Sequence, residues 1–203
     1  MFSRYTIGLL PSDLERYFHV RVPGDYYPHF NAAPGQLLPL ILNTRPMEIT
    51  MGCWGFHSHF TTSSIKEESL TLPIGKVKVT EKWASSFQER RCLVLADGFY
   101  LWKKISSNKR IPFRVLTNSD NPICFAGTWQ RLHHDHVSEN RIEYMILTRK
   151  TYKPIDNISD HMPVVMSREQ GLSWLKPDRS FEALIQTMET DRKSTRLNSS
   201  HYS

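Results

Sequence analysis

Long apolar runs are missing from this sequence. None approaches the about 18 uninterrupted apolar residues of a membrane-spanning helix. Residues 1–30 lack the charged start and hydrophobic block of a secretory signal, so a cytoplasmic location is expected, with nucleoid association in a bacterium if the chain holds DNA. Cysteine is scarce: Cys53, Cys92 and Cys124 are odd in number, widely spaced and set in apolar surroundings, which excludes a disulfide framework and a cysteine zinc site and predicts reduced, buried thiols. Histidine offers little more. His133, His134 and His136 share a polar loop without a second ligand pair, and His57 and His59 read as exposed, so neither a metal nor a cofactor is expected. No internal repeat is present.

What is there fits one ordinary domain. The chain has 203 residues, 39% hydrophobic and 23% charged, with a net charge of +6 and a pI near 9.3. A basic balance suits a polyanionic partner. Part of it comes from residues 192–203, where Arg192, Lys193 and Arg196 are unaccompanied by any acid and no hydrophobic period survives. The sequence therefore divides into a domain over 1–190 and an unstructured tail over 191–203 of artefactual composition.

Apolar patterning predicts a strand at the start, a helix capped by Ser12 or Asp13 through Phe18, a strand over residues 37–42 whose Pro39 suggests a sheet edge, and another over 47–54. Residues 57–75 read as a long surface loop with one helical turn near 64–69, and 83–90 as a helix. Further strands are expected over 92–96, from Phe99 onward, and over 111–116, 123–129, 142–147 and 164–166, with a polar loop over 131–141. Ser167 and Ser180 should cap two closing helices. Many short strands and few short helices define an α+β fold dominated by antiparallel sheet.

The most informative stretch is Arg90 to Lys104. Asp97-Gly98 breaks a buried strand, and Phe99, Tyr100 and Trp102 follow beside Lys103, Lys104, Arg90 and Arg91. Flat π surfaces next to positive charge suit the stacked bases and phosphates of a single-stranded nucleic acid. A core hairpin with a solvated basic rim satisfies the same pattern.

The wording Arg-Arg-Cys-Leu-Val-x-Ala-Asp-Gly-Phe-Tyr-x-Trp-Lys resembles the signature of the SOS-response-associated peptidase (SRAP) family, the abasic-site processing proteins. Matching stretches occur in order: Met1 to Tyr5, Phe30 to Gln36, Trp54-Gly55, and Ile158 to Val165. The resemblance implies a single-stranded DNA partner, with or without abasic sites, and a monomer. It also implies chemistry at an N-terminal cysteine, whose α-amine (pKa about 8) forms a Schiff base with the opened sugar while the thiol closes a ring. The same residue is implied in releasing a propeptide.

Every reactive position of that pattern is substituted. Phe2 stands for the cysteine and is too large for methionine removal, Leu101 for a glutamate, and Ser159 for a histidine. The Asn-Ala-Arg-x-Glu-Thr motif expected before Glu81 is absent, since no asparagine lies between Asn43 and Asn108. No catalytic residue of the pattern is intact. The implied DNA-holding positions are Arg4, Asn31, Pro34, Trp54 and Trp102, with His161 in place of an arginine. The expectation is an impaired family member that retains DNA binding. Two alternatives stay open: amine-based lyase chemistry at Met1, and a protein-interaction module on the same scaffold.

Overall fold

The computed structural model describes residues 2–56, 70–79, 81–117, 121–134, 137–190 and 197–201. In chain order these form β1 (Tyr5–Ile7), α1 (Pro11–Phe18), β2 (His29–Ala32), β3 (Leu37–Leu42), β4 (Arg45–Trp54), β5 (Thr71–Pro73), α2 (Ile74–Val79) and α3 (Glu81–Glu89). There follow β6 (Arg91–Ala96), β7 (Gly98–Lys104), β8 (Arg110–Thr117), β9 (Ile123–His134), β10 (Val137–Lys150), β11 (His161–Pro163), β12 (Val165–Met166), α4 (Arg168–Leu175), α5 (Phe181–Thr190) and β13 (Leu197–His201). The fold is mainly antiparallel β with short helices, as the sequence pattern indicates.

Five strands close on themselves in the order β10-β4-β3-β6-β9, the ring being completed by the β9–β10 pairing. All of these pairings are antiparallel except β4 with β10. Closure leaves no free edge within the ring, which suits the apolar β6, buried at all six positions. A second sheet, β13-β8-β7-β1-β2, lies against the barrel. The contact is aromatic: Tyr5 of β1 packs on Trp54 and Phe125 at 5.3 and 5.6 Å, and Phe99 of β7 packs on Phe125 at 5.8 Å. Asp97 sits where the chain leaves the barrel for this sheet. Its carboxylate accepts from the Gly8 amide and the Thr6 hydroxyl, with Arg114 at 3.4 Å. β6 and β7 therefore belong to different sheets and do not form the hairpin that the sequence allows.

Helix ends follow the sequence closely at one site and depart from it at another. Ser167 and Gln170 form a reciprocal capping box on α4, whereas α1 starts at Pro11 without a side-chain cap. Arg91 differs from the basic rim expected of it. Its guanidinium is fully buried and donates to the carbonyls of Phe87, Gln88, Trp174 and Lys176, closing the ends of α3 and α4, with the Trp174 ring beneath it at 5.8 Å. Burial lowers its pKa.

Four expectations change. β3 is a central strand between β4 and β6, and Pro39 lies one residue outside the stretch paired with β6, so no sheet edge is needed to accommodate it. The expected loop over 57–75 ends early, because Leu70 and Leu72 are buried and Thr71–Pro73 pairs with β10; the helical turn near 64–69 lies outside the described residues. The loop over 131–141 is shorter than its polarity suggests, since ladder pairing continues to His134 and resumes at Val137. Leu197–His201, placed in an unstructured tail by composition, pairs with β8; backbone hydrogen bonds need no hydrophobic period.

Candidate nucleic-acid interface

β7 carries the site by its alternation. Phe99 and Leu101 face inward and are fully buried, while Tyr100 and Trp102 project from the other face, their ring centroids 6.4 Å apart. Trp102 opens onto a groove of about 480 Å³. Lys103, Lys104 and Arg110 form one wall, and the segment from Asp156 to Asp160 forms the other. Trp102 and Ser159, far apart in sequence, thus line one groove. The Ser159 hydroxyl donates to the His161 carbonyl at 3.0 Å, and its own carbonyl accepts from Thr151, so the loop is held by its backbone. His161 is exposed at the start of β11, opposite Lys150 of β10. A partly exposed indole, two lysines and an arginine give the stacking surface and positive charge that a single strand requires.

The other sequence-derived positions divide by burial. Asn31 is exposed on β2, and Pro34 is half-buried in the following turn. That turn is fixed by Gly35, whose φ of 82° is favoured by the absence of a Cβ and whose amide N–H donates a hydrogen bond to the Trp54 carbonyl at 2.8 Å, and by the Gln36 side chain accepting from the Ala33 amide. Arg4 is half-buried beside β7; its carbonyl accepts from the Tyr100 amide at 3.0 Å. Trp54 presents no surface. It is fully buried, its indole N–H donating to the Leu70 carbonyl at 3.1 Å, so it anchors the turn from inside and offers no ring for a base.

The positions that the resemblance reserves for chemistry hold hydrocarbon. Phe2 is 2% exposed, and its ring meets Trp54, Phe99 and Phe125 at 5.6, 6.0 and 5.7 Å. Leu101 lies on the same inward face as Phe99. Phe2 and Leu101 both belong to the buried core, whereas Ser159 is half-buried and lines the open groove. Before Glu81, where an asparagine motif is missing, Ile74 and Val77 of α2 are buried.

No cysteine substitutes as a nucleophile. None of the three is in a disulfide and all are buried; burial pushes the Cys92 thiol far above its ordinary range and raises Cys53 despite nearby Arg141. Tyr5 and Tyr144 share a buried hydroxyl contact of 2.9 Å, and burial raises both, leaving them neutral. Among the described residues no cluster of histidine, cysteine or carboxylate side chains suits a metal; His57, His59 and the side chains of His133, His134 and His136 lie outside them. No helix among them is long and apolar enough to cross a membrane.

Sequence reasoning missed Arg110, Asp156 and Asn157 as groove walls. The basic wall had a signal in the Lys103-Lys104 run, but only the β7–β8 register, with Lys104 opposite Arg110, brings the arginine to it.

The SOS response associated peptidase (SRAP) family matches residues 1–201. Similar proteins include abasic site processing protein YoqW of Bacillus subtilis, 27% identical over 94% of this chain and 89% of its own. Abasic site processing protein YedK of Escherichia coli is 24% identical, over 86% of this chain and 75% of its own. A crystal structure of a protein from Bacteroides thetaiotaomicron shares the fold with a TM-score of 0.82 at 15% identity, covering 98% of this chain and 91% of that one.

Proposed function

Since this chain belongs to the SRAP family, we propose that it retains the family's hold on single-stranded DNA and has lost the covalent step on abasic sites. The observation that carries the first half is the groove beside Trp102. An indole face, Lys103, Lys104 and Arg110 stand together on one wall, and Asn31 remains exposed on the same sheet. Stacking on the indole tolerates any base, and the cations neutralise the backbone, so binding through this groove is independent of sequence.

The second half rests on the interior. A crosslink to an opened sugar needs a nucleophile and a proton-transfer group that the aldehyde can reach. Phe2 offers a ring already packed among three others, and Leu101 has no titratable atom. Ser159 faces the groove, but its hydroxyl does not titrate near neutrality and is engaged with the His161 carbonyl. The chain then acts as an occupant of single-stranded DNA that leaves the strand chemically unchanged.

Fluorescence anisotropy with a labelled single-stranded oligonucleotide tests the binding half. Affinity should fall as salt rises, with a logarithmic slope of about 0.7 per phosphate neutralised. A flat or absent titration would instead favour a protein-interaction module on this fold.

A further inference from the structure

We infer that a second groove, on the barrel wall and lined by Arg45, Arg131 and Arg141, holds the flanking part of the same single strand of nucleic acid. The inference rests on the binding function proposed above and extends its surface. The groove is larger than the one beside Trp102, about 680 Å³, with a floor of Leu37, Met51 and Ile142. Among the described residues none of its lining side chains is acidic. The groove beside Trp102, by contrast, includes two aspartates.

Barrel closure creates this cluster. Arg131 and Arg141 lie on the adjoining strands β9 and β10, one step out of register, and both line the groove. Arg45 enters from the start of β4, with only a loose contact of 3.4 Å to Glu48. All three are exposed. Guanidinium groups over an apolar floor suit a phosphodiester chain, since the fork donates to phosphate oxygens while the floor accepts sugars and base faces.

The position along β10 names the occupant. Lys150 lies opposite His161, next to the first groove. Further back, the Tyr144 carbonyl accepts from Gly55, beside the Trp54 carbonyl that holds the Gly35 turn. Next come Ile142 and Arg141 in the second groove. The ten residues from Lys150 to Arg141 span about 30 Å of strand. Asn31 on β2 and Pro34 in the turn after it thus stand beside the middle of β10, and Leu37, three residues past Pro34, opens the second groove. Residues 142–148 of β10 are themselves buried, so one strand of nucleic acid joining the two grooves would pass over that turn.

The test compares wild type with Arg131→Ala/Arg141→Ala on two labelled single strands, about 4 and about 20 nucleotides long. On the long strand the variant should lose about 1.4 from its logarithmic salt slope, two phosphates at about 0.7 each. On the short strand, which one groove accommodates, the slope should not change. Arg131→Lys/Arg141→Lys should keep most of the slope, and circular dichroism should show all proteins folded. An unchanged slope on the long strand, or an equal loss on both, overturns the inference and leaves the groove beside Trp102 in place. No binding of either strand by the wild type removes the underlying function as well.

Discussion

Replacing Phe2 with the cysteine of the family pattern should cost this protein stability, because the ring has become part of its core. Phe2 is 2% exposed and meets the rings of Trp54, Phe99 and Phe125 at 5.6, 6.0 and 5.7 Å. Truncating a buried phenylalanine to alanine costs about 3–5 kcal/mol, including the cavity left behind. Sulfur refills part of that space, which places Phe2→Cys near the lower end, about 3 kcal/mol. The aromatic pair energies are contained in that figure and are not added to it. For a domain of this size the shift in Tm is about 2–4 °C per kcal/mol, so a fall of about 6–12 °C is expected. Thermal unfolding followed by circular dichroism, with urea unfolding for confirmation, measures it. A Tm within about 2 °C of wild type would refute the claim that the ring is part of the core, since that corresponds to less than about 1 kcal/mol.

Arg91→Met should destabilise the chain by at least about 3 kcal/mol, because four carbonyls at the ends of α3 and α4 lose a charged donor; a urea midpoint equal to wild type would contradict that role. Trp102→Ala should weaken single-strand binding by about 1–3 kcal/mol, roughly 5- to 150-fold, read by anisotropy, while leaving Tm nearly unchanged. His29 has a buried Nε2 without a hydrogen-bond partner and lies 4.5 Å from the Tyr27 ring, and burial lowers its pKa below the unfolded value. The stability tied to neutral His29 is therefore present above about pH 6.5 and is lost as pH falls through the lowered folded value. His29→Gln should flatten the acid side of a Tm-against-pH curve between about pH 7 and 5; an unchanged slope would show that His29 does not titrate on unfolding.

Local chemistry made much of this architecture legible before any coordinates. The cap at Ser167, the burial of Cys92 to Ala96, the break at Asp97 and the extent of α1 through Phe18 all follow from neighbouring residues. What did not follow was tertiary. Arg91 read as rim charge because nothing beside it in sequence announces Trp174 and Lys176 as acceptors. Pro39 read as an edge marker because composition cannot say where β6 pairing stops. Trp54 read as a binding surface, yet its indole reaches the Leu70 carbonyl inside the core. The candidate site was partly visible as Trp102 with its lysines. Its opposite wall, and the three arginines of the second groove, come from strands and loops that only the sheet register brings together.

The central claim is that DNA can be held here without being bonded. Its most direct measurement is incubation of the purified chain with a single-stranded oligonucleotide carrying an abasic site, followed by heat denaturation and a denaturing gel, with and without borohydride. The account predicts free oligonucleotide of unchanged length in both lanes, although the same sample before denaturation shows a salt-sensitive complex. A heat-resistant protein–DNA band, or an adduct trapped by borohydride, would contradict it and show that the reactive function survives at the N-terminal amine or elsewhere.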